Sequence, residues 1–235
     1  MIHVLDHGYV RLVEHMGNDL SIVRNARVSY DAEWRTGEDA GKDEKLIRYL
    51  YSNRHTSPFE SVTFTFEVKA PIFVVRQWHR HRTWSYNEVS ARYTELPEEF
   101  YVPNPKLIGK QADKNKQMRD LDLTKQTPEF WEVEAANLIA DTCANAFNTY
   151  KALLERGIPR ELARGVLPVN TYTHMFCTVD LHNLFHFLRL RLHEHSQYEI
   201  RVYAEAMLEL IKPIVPVAVG AFLEDFNSGK QNSSS

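Results

Sequence analysis

Val62, Phe64, Phe66 and Val68 are separated by Thr63, Thr65 and Glu67, an unbroken alternation of apolar and polar side chains. Successive side chains of a strand point to opposite faces, so this period of two collects the apolar groups on one face and the polar groups on the other. Such a strand buries one face only, which calls for an antiparallel sheet covered on one side. Helical runs elsewhere supply candidates for the cover. Between 128 and 156, Trp131, Ala135, Leu138, Phe147, Tyr150 and Leu154 fall mostly at helical spacing, and Gly157 ends the run. A second long helix is expected over 180–212 and a shorter one after Val215. The fold class is therefore α+β: an antiparallel sheet covered by helices, with a largely helical C-terminal half.

Nearer the start, Tyr9 to Val13 suits a short strand, and Asp19 is placed to cap a helix running toward Arg27. The polar stretch 31–42, with Gly37 and Gly41, reads as a mobile loop. A helix follows from about Asp43, with Leu46, Ile47, Leu50 and Tyr51 on one face, and stops before His55. After Pro71, Ile72 to Val75 is rich in strand formers, but proline at a first helical position favours a short helix, which is the expectation here. The charged, poorly periodic stretch 106–127 is expected to be a surface excursion, and 227–235 a disordered tail after one domain over 1–226.

Two cysteines, Cys143 and Cys177, lie far apart with no CxxC spacing, which fits a reducing compartment. No basic flank and apolar core mark a signal peptide at the N-terminus, and no apolar run approaches the roughly 18 to 20 residues that cross a bilayer. The expected location is the cytoplasm, away from membranes. Formal net charge is −3, so any anion-binding surface must be a local cluster, and general affinity for nucleic acid is not expected.

That cluster is the stretch from Arg76 to Arg92. It holds four arginines, His79 and His81, and the uncharged donors Gln77, Ser85, Asn87 and Ser90, with Glu88 as its only acid. Guanidinium groups grip phosphate in pairs of hydrogen bonds, and several together can hold a nucleotide or a dinucleotide pyrophosphate. Most charge runs are merely solvated. Here Trp78, Trp84, Tyr86 and Tyr93 interleave the charges, which a solvated face rarely does. Two other readings use the same residues. His79-x-His81 and the pair His182/His186 have metal-ligand spacing, but Asn183 occupies the place of the glutamate in HExxH, and no metal site is expected. A nucleic-acid-binding module could use the arginines and aromatics, but no known module signature accompanies them.

Spacing separates these readings. Arg80-His81-Arg82, seven intervening residues and Ser90 reproduce the RHR-x7-S signature, and the chain resembles the flavin-dependent thymidylate synthases. Ser85 to Glu88 resembles the family's SYNE element and Ser90 to Tyr93 its SxRY element. The likeness extends to Arg27-Val28-Ser29-Tyr30, to His55 through Glu60, to Ala163 through Pro168 and to the helix around Arg191.

The resemblance implies reductive methylation of dUMP to dTMP, with methylenetetrahydrofolate as carbon donor, NADPH as reductant and FAD carrying the hydride. It implies that Arg80, His81, Arg82, Ser57 and Glu88 hold FAD, with Ser29, His55, Asp180, His182 and His186 lining that pocket. Gln77, Trp78, His79, Arg80, Glu88, Ser90, Ala91, Arg92, Arg164 and Arg191 are implied in dUMP binding. Arg191 is the catalytic member: a cation at the uracil edge favours ionisation at N3 and raises electron density at the carbon to be alkylated. Some members of the family carry Asn where this chain has Asp180 and His186, and ionised Asp accepts hydrogen bonds without donating any. On this likeness the stretch from Arg76 to Arg92 is a seam, with flavin at Arg80–Arg82 and nucleotide at Ser90–Arg92. The family's homotetramer, with active sites shared between chains, is expected here. The helix after Asp180 agrees, because Leu181, Leu184, Phe185, Leu188 and Leu192 form one side and His182, His186, Arg189 and His193 another, with Arg191 and His195 roughly opposite that polar stripe.

Classical thymidylate synthases use a cysteine nucleophile. Neither cysteine here has a cationic neighbour in sequence that would lower its pKa, so both are read as buried structural thiols.

Overall fold

The computed structural model describes residues 1–113 and 115–232. Strands β1 (Ile2–Val4) and β2 (Gly8–Met16) lead into helices α1 (Asp19–Arg27) and α2 (Ala40–Ser52). Strand β3 (Thr63–Pro71), helix α3 (Ile72–Trp78) and strand β4 (Ser85–Glu88) follow, then a small hairpin of β5 (Lys110–Gln111) and β6 (Arg119–Asp120). The second half holds α4 (Phe130–Glu155), α5 (Arg160–Ala163), β7 (Tyr172–Asp180), α6 (Leu181–Arg191), α7 (Tyr198–Ile211) and α8 (Pro216–Asn232). The main sheet is antiparallel in the order β1-β2-β3-β7-β4.

The alternating stretch lies at the centre of that sheet. Phe64, Phe66, Val68 and Ala70 are fully buried, and Met175, Cys177 and Val179 of β7 share their covered face. Burying each large side chain contributes roughly 1.5–3 kcal/mol. On the opposite face, Glu67 accepts hydrogen bonds from Tyr9 and Arg11, and Thr65 bonds Thr178. Helices α3, α6 and α7 pack against the strands. Helix α4 does not join them: its Phe147 and Tyr150 form a separate small cluster with Ala163.

Several expectations need correction. Asn18, not Asp19, caps α1, accepting from Leu20 N at 3.0 Å. Asp19 instead accepts from the amides of Val217 (2.9 Å) and Ala218 (3.1 Å) and so caps α8. The 31–42 stretch contains a 3-10 turn at Glu33–Arg35, and α2 begins at Ala40, capped by Asp39. The helix expected over 180–212 is two helices, because Ser196 N donates to His193 O and His195 N to the His193 ring, local bonds that replace the helical ladder. Strand β7 lies in a half that was expected to be largely helical. The tail expected to be disordered from Asn227 continues α8 to Asn232, and 233–235 lie outside the described residues.

Candidate active site

The seam from Arg76 to Arg92 folds as α3, a loop, β4 and a turn. Its aromatics anchor it. Trp78 is fully buried, stacked on Phe187 at 5.0 Å between ring centroids and edge-on to Trp84 and Tyr203. The Trp78 side chain therefore cannot contact a nucleotide, contrary to its expected place among the substrate residues. Tyr86 donates its hydroxyl hydrogen to the carbonyls of His81 (2.9 Å) and Trp78 (3.2 Å), closing the loop upon itself. This bracing turns His81 inward, where it is buried, and leaves Arg80 and Arg82 exposed.

Helix α6 forms the facing wall. Asp180 caps it, accepting from Asn183 N at 2.9 Å and Asn183 Nδ2 at 2.6 Å. Both carboxylate oxygens thus serve the helix's own first turn. Between α6 and the loop lies a cleft of about 610 Å³ lined by Arg80, His81, Arg82, Thr83, His182, Asn183, His186, Leu190 and Arg191. Six residues of the sequence expectation converge here from two distant stretches. Among the described residues, neither Arg80 nor Arg82 forms an ion pair, so the cleft is cationic in a chain of negative net charge.

Arg191 is half-buried at the end of α6. Its Nε donates to His81 Nε2 at 3.1 Å and its Nη2 to the Gln77 carbonyl at 3.1 Å. Burial lowers the pKa of Arg191 from the usual guanidinium value. Burial first, then the charges of Arg191 and His186, push His81 down to about 4. The Gln77 side chain donates to Gln197 Oε1 at 2.5 Å.

On the other side of α6 a second cleft of about 310 Å³ is lined by Tyr51, Arg54, Thr56, Phe59, His182, Phe185, His186 and Arg189. His55 and Ser57 flank its Thr56, both exposed, with the His55 ring edge-on to Tyr49. His182 and His186 line both clefts. Ser29 stands exposed on a 3-10 turn at Val28–Tyr30 and lines neither.

The remaining expected residues lie elsewhere. Glu88 accepts from Thr173 Oγ1 at 2.6 Å on the edge strand β4. Ser90, Ala91 and Arg92 form the turn beyond it, where Ser90 O accepts from Tyr93 N and Thr94 N. From Ser85 to Ser90 the chain runs about five residues nearly extended, roughly 16 Å. The seam is therefore stretched: its RHR end faces the cleft and its SxRY end points to the start of β7. Arg164 stands exposed on the 3-10 turn Arg164–Val166, which packs on α4. Arg160, four residues earlier, pairs with Glu95 (3.4 Å), tying this turn to the SxRY end.

His79 turns its ring onto Tyr86 at 4.6 Å while His81 faces Phe187, so the two imidazoles do not converge. Among the described residues no three His, Cys, Asp or Glu side chains form a cluster that could hold a metal ion. Sequence reasoning missed Thr83, Asn183 and Leu190 in the cleft, and Tyr51, Arg54 and Arg189 in its neighbour. Thr83, Asn183 and Arg54 carried a local signal, standing next to Arg82, His182 and His55; the Arg54 backbone is left-handed, with φ 59°.

Residues 11–217 match the family described as thymidylate synthase complementing protein. A flavin-dependent thymidylate synthase of Thermus thermophilus is 51% identical over 228 residues, which covers 97% of this chain and 80% of that protein. One from Wolbachia pipientis is 47% identical over 225 residues, covering 94% of this chain and 75% of its own. Among solved structures, a UMP/dUMP methylase, PolB, from Streptomyces cacaoi bound with 5-Br dUMP superposes with a TM-score of 0.84 at 38% identity, covering 95% of this chain and 97% of that one.

Proposed function

The chain belongs to the flavin-dependent thymidylate synthase family, and from this premise we infer how its residues divide the methylation of dUMP to dTMP among themselves. The observation that carries the reading is the unneutralised cleft between α6 and the 79–84 loop. Its donor set of guanidinium and imidazole groups, free of acids, fits the pyrophosphate of FAD, because paired N–H groups of arginine match phosphate oxygens. Arg80 and Arg82 hold the pyrophosphate. His81, His182 and His186 line the same cleft, with Ser29, His55, Ser57 and Glu88 as further contacts contributed within the assembly. Asp180 acts through the α6 cap. When bound, the flavin supplies the hydride chemistry that no side chain here offers.

Arg191 presents its cation to the pyrimidine edge and favours the N3-ionised form. Where the bound ligands exclude water from the cleft, this preorganised charge is worth several kcal/mol of the barrier, roughly 2.7–4 for a comparable oxyanion donor. Gln77, His79, Ser90, Ala91, Arg92 and Arg164 complete the nucleotide site, with Glu88 shared between the two ligands and Trp78 serving only as anchor. NADPH is the reductant and methylenetetrahydrofolate the carbon donor. The enzyme works as a homotetramer in the cytoplasm; no helix among the described residues is long and apolar enough to cross a membrane.

The purified protein, reconstituted with FAD, should be yellow and should form dTMP from dUMP only when NADPH and methylenetetrahydrofolate are both supplied. A folded protein that takes up no FAD, or that forms dTMP without it, would overturn this reading.

A further inference from the structure

Within the arginine-histidine-arginine triplet the structure separates the middle residue from its neighbours. Arg80 and Arg82 are exposed, whereas His81 is 6% exposed. Its ring is wedged between Phe187, 4.9 Å away, and His186, 5.9 Å away. Its backbone is fixed from both sides, His81 N donating to the Trp78 carbonyl at 2.9 Å and the His81 carbonyl accepting from Tyr86 at 2.9 Å. A ring held in this way has one direction in which to act.

We propose that His81 is a positioning residue for Arg191, accepting the Arg191 Nε hydrogen on its own Nε2 and thereby fixing the plane of the guanidinium before dUMP arrives. The bond defines the tautomer: Nε2 is the acceptor, so the proton sits on Nδ1. With the Gln77 carbonyl holding one Nη2 hydrogen, two of the five guanidinium donors are committed to the protein. The other three, both on Nη1 and one on Nη2, are free for the oxygen-bearing edge of a pyrimidine. At neutral pH the ring is in the accepting form, since burial and the nearby cations hold its pKa at about 4. The triplet thus divides its labour: the outer arginines serve an anion and the central histidine serves another side chain.

This inference rests on the reading of Arg191 as the cation at the pyrimidine edge. It is tested with His81→Gln, whose amide oxygen can reach the Nε2 position and accept, against His81→Leu, which has similar bulk and no acceptor. Should His81→Leu fail to fold, His81→Asn takes its place, its amide oxygen falling short of Arg191. FAD content, KM for dUMP and kcat are measured for each. With each variant saturated with added FAD, His81→Leu should lose about 100-fold in kcat, the scale of a small misplacement of a catalytic group, and His81→Gln should recover to within about tenfold of the parent. Equal kcat in the Gln and Leu variants overturns the proposal, as does loss of FAD from both with normal kcat on saturation with added FAD. A parent enzyme that binds no FAD or forms no dTMP instead overturns the functional reading itself, before any variant is compared.

Discussion

On the proposed reading Arg191 stabilises a developing anion, which requires its guanidinium to be oriented in advance; a buried imidazole and a backbone carbonyl accept its Nε and Nη2 hydrogens. The cysteines are at the other extreme. Cys177 is 1% exposed on the covered face of the sheet, and burial raises its thiol far above the ordinary value; Cys143 is buried in α4 and raised for the same reason. Neither offers a thiolate, the form a nucleophile requires. The double variant Cys143→Ala/Cys177→Ala should therefore keep kcat within about twofold of the parent while losing stability through the cavities it leaves, about 1 kcal/mol per site. Steady-state rates on the folded variant check this, and abolished turnover with FAD still bound would assign a thiol to the chemistry. Residue types at the site were legible in sequence because guanidinium spacing is a local property. The direction of each side chain was not: Trp78 and His81 stand in the same charged run as Arg80, and only packing against Phe187 draws both of them inward.

Among the elements, the 106–127 excursion bears on the site through what it holds. Its strand β6 contributes Arg119, which pairs at 2.7 Å with Glu199 of α7. Glu199 is 1% exposed and also accepts from Tyr101 at 3.1 Å. The hairpin thereby covers the turn between α6 and α7, whose Gln197 receives the Gln77 amide. Arg119→Ala would strand a buried carboxylate and should lower stability by about 3 kcal/mol, whereas Arg119→Met with Glu199→Met should recover most of it. Urea unfolding of the two variants decides; an unchanged midpoint in Arg119→Ala would show that the pair holds nothing in place. Strand β3 and helix α4 could be read from sequence because their periodicity is intact, and α3 because Pro71 stands at its start. Strand β7 could not, although Met175, Cys177 and Val179 alternate, because the exposed Phe176 interrupts the pattern and a strongly helical stretch follows directly. The break between α6 and α7 was hidden for a different reason: the polar stretch from His193 to Gln197 holds neither Gly nor Pro, and what ends α6 there is local bonding to His193. Asp19 read as the cap of its own helix because the amides it satisfies lie nearly two hundred residues away.

In the folded chain, the arginines that the proposed reading assigns to one reaction stand apart. The cleft gathers Arg80, Arg82 and Arg191, while Arg92 and Arg164 belong to the other end of the seam, with the neighbouring Tyr93 (81%) and Leu162 (66%) exposed. Large apolar groups left uncovered near functional arginines favour burial against another copy, and symmetry then supplies to each cleft the arginines it lacks. On the proposed reading, a flavin cleft from one copy is completed by the nucleotide-binding turn of another. It predicts complementation between two inactive chains. Arg191→Ala lacks the cation of the cleft, and Arg164→Ala lacks the distant one; co-expressed, they assemble mixed oligomers in which about a quarter of sites inherit both intact halves. The decisive measurement is dTMP formation by isolated mixed oligomers beside each variant alone. Two nearly inactive parents and a mixture restored to about a quarter of the unaltered enzyme's rate are expected, whereas mixed oligomers that bind FAD and remain as inactive as their parents would rule out a site shared between copies.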